Sequence, residues 1–142
     1  MKRVLFAGLV ALALMACGQE KPKRQVVVEQ GPAQIAFDET LYEFGARQYD
    51  SEAVRHDFTF VNKGSLPLVI HKIVTTCGCL KVDYSKEPVP SGEEGVIHVA
   101  LDMSDVPKGY LKRTISVYSN ATNLPEVRLC LTGTVLYPEG TY

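Results

Sequence analysis

The chain of 142 residues contains no tryptophan and only three histidines. It has no Gly-x-Ser-x-Gly elbow, no phosphate-cradling loop and no His-Glu-x-x-His pair, so no nucleophile comes with an assignable base. Helical periodicity is missing too, since apolar residues nowhere keep helical spacing over three turns. Excess positive charge is absent: 15 Lys and Arg stand against 16 Asp and Glu. That balance leaves no electrostatic footprint for nucleic acid. No internal repeat is visible. What is present is ordinary for one globular domain, with 46% apolar and 22% charged residues arguing against disorder.

A long apolar run occurs only at the start. Lys2-Arg3 precede Val4 to Ala16, which ends at Cys17. The run is too short to span a bilayer and has the layout of a secretory signal. Leu14-Met15-Ala16-Cys17 resembles the lipobox of bacterial lipoproteins, with Leu at −3, a small residue at −1 and Cys at +1. Met15 at −2 is a less usual choice. The resemblance implies cleavage before Cys17 and diacylglycerol on its thiol; a transmembrane anchor and a cleaved soluble signal are the alternatives. Each buried acyl methylene adds about 0.8 kcal/mol, so several chains anchor stably. Loss of Lys2 and Arg3 leaves 13 basic against 16 acidic residues, a net of about −3.

Residues 1–16 are thus read as signal peptide, 17–32 as lipid anchor and linker, and 33–142 as the folded domain. Pro22, Gly31 and Pro32 interrupt the linker, and Lys21, Lys23 and Arg24 make it a solvated tether. Beyond it the pattern is β. Val54, His56, Phe58 and Phe60 share one face at period two, as do Ile97, Val99 and Leu101. Leu111, Arg113, Ile115 and Val117 do the same, and so do Val127, Leu129, Leu131 and Val135. A β-branched run from Pro67 to Val74 and a shorter one from Leu80 to Tyr84 add further strands. Asn62-Lys63-Gly64-Ser65 reads as a turn whose Asn and Gly tolerate positive φ. The sequence predicts an all-β domain, a sandwich of about seven strands, although a small barrel gives a similar string.

Phe44-Gly45, Phe58-Thr59-Phe60-Val61-Asn62-Lys63-Gly64 and Pro67-Leu68-Val69-Ile70 resemble the start of an abnormal-spindle/hydin-like immunoglobulin (Ig) module. Thr76-Cys77-Gly78-Cys79, Pro90-Ser91-Gly92, Gly109-Tyr110, Ile115 to Asn120 and Leu131 to Val135 narrow the resemblance. Together they resemble the bacterial envelope family catalogued as domain of unknown function 1573, over roughly Phe37 to Leu136. Leu80 departs from the Thr or Ser expected after the second Cys. The resemblance implies an Ig-like sandwich, often on lipoproteins, and no established activity.

With Cys17 assigned to lipid, Cys77, Cys79 and Cys130 remain in a compartment that permits disulfides. In a structural reading, Gly78 allows a tight bend with the thiols packed or bridged, or one of them pairs with Cys130. A bridge across one residue closes a very small ring and adds modest stability at most. In a redox reading the pair exchanges thiols with a client. In a metal reading Cys77 and Cys79 hold Cu(I) or Zn(II), with Cys130, His71 or His98 completing the shell. In the last, a cysteine pairs with another protein.

The expected function is a lipid-anchored envelope protein, on the periplasmic side or cell surface, with a binding or scaffolding domain and no catalysis. Its expected partners are the membrane and an envelope protein or glycan, with no cofactor. The alternative is thiol redox or copper or zinc handling at Cys77-Gly78-Cys79.

Overall fold

The computed structural model describes residues 31–140. The expected signal peptide, Cys17 and the expected linker up to residue 30 lie outside the described residues.

Alternation of apolar and polar side chains produces eight strands. They are β1 (Ile35–Phe37), β2 (Leu41–Gln48), β3 (Val54–Asn62), β4 (Ile70–Thr75), β5 (Leu80–Tyr84), β6 (Glu94–Leu101), β7 (Gly109–Ser119) and β8 (Glu126–Leu136). One sheet has the order β1-β3-β6-β5 and the other β2-β8-β7-β4. All pairings are antiparallel except β2 with β8. The described residues contain no helix.

In β3, β6, β7 and β8 the buried face is the one the period-two pattern marks. Phe58, Ile97, Leu101, Ile115, Leu129 and Leu131 are completely enclosed between the sheets. At about 25 cal/mol per Å² of apolar surface removed from water, such a core is the main stabilising contribution. Two close approaches tighten it. A Cβ on Gly95 would collide with the ring of Phe60, and one on Gly133 with the ring of Phe44. Each aromatic ring therefore packs closely against a strand backbone where any side chain would hold it off.

The expected all-β sandwich of about seven strands is found, with eight. Its shortest, β1, is held by Asn123, which accepts from the Ile35 amide at 3.0 Å and donates to its carbonyl at 2.8 Å. Two local readings are corrected. The run from Pro67 is not strand from its start. Leu68 instead forms an isolated bridge with Val89, and β4 begins at Ile70. Finally, the 62–65 segment uses no positive φ. Asn62 ends β3 fully buried, and its side-chain amide donates to Leu66 O at 2.8 Å and Val89 O at 3.0 Å. Its Oδ1 accepts from the amides of Gly64 at 3.0 Å and Gln34 at 3.4 Å. One side chain thus joins three chain segments. Gly31 is tied to this corner as well, accepting from the Ser65 amide and hydroxyl.

Candidate functional site

The segment from β4 to β5 crosses from one sheet to the other at their edges, and the Cys-Gly-Cys turn makes that crossing. Hydrogen bonds fix both ends. On the β4 side, the Thr76 amide donates to Thr114 O at 3.1 Å, and Thr76 Oγ1 accepts from the Thr114 amide at 3.2 Å. On the β5 side, the Asp102 amide donates to Cys79 O at 2.8 Å. Within the turn, Cys77 O accepts from Thr75 Oγ1 at 3.2 Å and from the Leu80 amide at 3.4 Å.

Cys77 and Cys79 are joined in a disulfide, with Cα atoms 5.3 Å apart. The two ends sit in different surroundings. Cys77 is partly exposed, whereas Cys79 is 7% exposed and belongs to the core. Arg113, on the inward face of β7, donates from Nε to Cys79 Sγ at 3.5 Å. Periodicity gives no hint of this contact, because Arg113 simply occupies the apolar phase of its strand. Gly78 has no positive φ, and a Cβ there would meet nothing within 4 Å. The bend does not depend on glycine.

Cys130 is a free thiol. It alternates with the buried Leu129 and Leu131, and its Sγ lies 3.8 Å from Thr114 Oγ1. Thr114 and Arg113 are successive strand residues and point to opposite faces. Cys130 therefore lies outside the sheet that Cys79 lies beneath, and does not pair with the motif. His71 and His98 are separated as well, one on β4 and the other on the outer face of β6. Among the described residues, no three of His, Cys, Asp and Glu gather where they would hold a metal ion. His56 is an aromatic packing residue: it stacks on Tyr42 with centroids 3.7 Å apart, meets Phe58 edge-on, and places Nε2 2.7 Å from Glu39 Oε1.

A second feature lies on the outer face of β3, β6 and β5. Ala100 is flanked across the strands by Arg55 and Lys81, and His98 by Asp57 and Asp83. The small Ala100 leaves a dip between long side chains, part of a groove of about 580 Å³. His98 Nδ1 is 2.8 Å from Asp57 Oδ1. At the groove's end, hydrogen bonds from the Ser104 hydroxyl at 2.6 Å and amide at 3.0 Å hold the Asp102 carboxyl below the ordinary range, with Lys81 adding to the effect. The groove offers rows of opposite charge side by side.

The family described as protein of unknown function (DUF1573) matches residues 35–135, most of the described sandwich. The chain belongs to the DUF1573 family. No curated protein matches it. The DUF1573 sandwich is similar in fold to solved Ig-like structures. A protein of unknown function from Porphyromonas gingivalis W83 is similar at 19% identity, TM-score 0.63, over 80% of this chain and 50% of that one. The chain thus spans half the length of that relative. The ASH/PapD-like domain 7 of human CEP192 is similar at 10% identity, TM-score 0.60, over 89% of this chain and 99% of that one. The YadV chaperone follows at 16% identity, TM-score 0.53, over 76% of this chain and 55% of that one. At these identities the likeness is one of fold.

Proposed function

We propose that this DUF1573 protein is a lipid-tethered binding domain of the bacterial cell envelope that holds a polar envelope protein or glycan and catalyses nothing itself. The observation that carries the binding reading is the groove over Ala100, with Arg55 and Lys81 on one row and Asp57, His98 and Asp83 on the next. Paired rows of opposite sign suit a partner with both donors and acceptors, and such complementarity sets orientation and specificity more than raw affinity. The Ig-like sandwich supports the reading, since it carries the groove on a rigid sheet. The fold is shared with a chaperone and a PapD-like domain.

The tether is supported by the lipobox-like Leu14 to Cys17 and the polar stretch after it. It places the domain on the periplasmic side or cell surface. Copper or zinc handling is less well supported, because sulfurs joined in a disulfide are not the thiolates that ligate soft metals.

The test is site-specific photo-crosslinking of the full chain in intact bacterial cells, with the crosslinker replacing Ala100 or, on the other sheet, Tyr110. Adducts at position 100 that disappear with Arg55→Glu and Lys81→Glu support the reading. Adducts at position 110 alone, or none at 100, contradict it.

A further inference from the structure

We propose that the Cys77–Cys79 disulfide is a covalent docking point for a thiol, with Cys77 the sulfur attacked and Arg113 stabilising the departing Cys79. The inference is independent of the groove and stands or falls on the turn alone.

Thiol–disulfide exchange requires a thiolate to approach one sulfur along the axis of the bond, opposite the sulfur that leaves. The two ends of this bond are not equivalent. Cys77 is partly exposed, and Cys79 is enclosed in the core. An incoming thiolate therefore reaches Cys77 Sγ and displaces Cys79 Sγ inward. Its electron pair forms the new sulfur–sulfur bond to Cys77, and the pair of the broken bond leaves on Cys79 as thiolate. No further oxidant or reductant is needed, and the reverse attack by Cys79 releases the docked thiol.

Burial alone would oppose this, since a thiolate is disfavoured in apolar surroundings. Arg113 Nε, aimed at Cys79 Sγ from 3.5 Å, supplies the compensating positive charge. A leaving thiol of lowered pKa departs faster. The sulfur of the more buried cysteine is thus the one equipped to leave.

Two further features fit. Opening the bond does not release the corner, because Thr76 with Thr114 and Asp102 with Cys79 O hold the backbone at both ends. In addition, Cys130 is on the other side of the sheet, so Cys79 is the thiol placed to resolve a mixed disulfide on Cys77.

The experiment exposes the oxidised full chain to reduced glutathione or, separately, to a peptide with a single cysteine. Acid quenching, alkylation and peptide mapping by mass follow. The expected product carries the added thiol on Cys77 and the alkyl group on Cys79. Arg113→Gln slows its formation about five- to tenfold, since loss of a neighbouring opposite charge shifts a pKa by one to three units, and Arg113→Lys restores most of the rate. Adducts with glutathione alone identify a small thiol as the ligand, and adducts with the peptide identify a protein cysteine; either supports the docking point. An adduct on Cys79, no adduct in the folded protein, or equal rates for Arg113→Gln and the unmodified chain overturns it.

Discussion

Arg55 and Lys81, far apart in sequence, stand on opposite sides of the same residue, Ala100, on the outer face of the β3-β6-β5 sheet. Both side chains are exposed, and neither contributes to the core. Reversing both charges is therefore expected to leave thermal stability nearly unchanged, within about 0.5 kcal/mol per site. The same double variant loses crosslinking from position 100. A cooperative loss of folding, read by thermal unfolding, would show that the pair is structural.

Asn62 carries the opposite expectation. Replacing it with Ala leaves the buried Gly64 amide, the part-buried Gln34 amide and the part-buried carbonyls of Leu66 and Val89 without their partner. Orphaned buried groups cost about 1–3 kcal/mol each before relaxation, and water entry recovers part of that. The expected net loss is about 2–4 kcal/mol in denaturant unfolding. Asn120→Ala is expected to cost less, because that amide bridges Val69 and Pro67 at the surface. Equal losses would contradict the assignment of Asn62 as the buried clamp.

Glycine substitutions separate packing from habit. Gly95→Ala places a methyl group in the ring of Phe60 and is expected to cost about 1–3 kcal/mol by overpacking. Gly78→Ala meets open space at an ordinary φ and is expected to fall within about 0.5 kcal/mol of the parent. Thermal unfolding of the two single variants decides this, and a larger loss at Gly78 would contradict it.

The Asp102 pair gives a pH dependence of defined sign. Hydrogen bonds from Ser104 lower the carboxyl pKa in the folded state. The stabilisation they give is therefore present above the unfolded value and is lost as pH falls through the folded one. Unfolding of the parent and of Ser104→Ala, measured from neutral to acidic pH, should differ most near neutrality and converge on acidification. The difference is small because the carboxylate is solvent-exposed and screened. A gap that widens in acid would contradict the sign.

The fold was largely legible in the sequence because two-sheet packing imposes period two, and Phe58, Phe60, Ile97, Leu129 and Leu131 keep it without exception. Pairing order was not legible. Nothing local in Leu41–Gln48 announces a parallel partner in β8, since side chains alternate between faces whichever way the neighbouring strand runs. The Cys-Gly-Cys turn stood out by composition alone, but its setting did not. Arg113 reaches Cys79 from a strand distant in sequence and in a phase reserved for apolar residues, so only the assembled sandwich reveals the contact. Cys130 opposes Leu129 and Leu131 in phase, but only the pairing of β8 with β7 shows that it faces away from the motif. Asn62 misled because the same residue type serves turns and buried clamps, and burial decides between them.

We propose above all a tethered envelope domain whose turn carries a disulfide. Intact mass of the full chain, purified from the membranes of a bacterial host and recorded before and after reduction, tests both halves together. The expected result is a chain beginning at Cys17, heavier than its sequence by acyl groups, that gains two hydrogens on reduction. A chain that keeps residues 1–16, or lacks lipid on Cys17, or is unchanged in mass by reduction would contradict it.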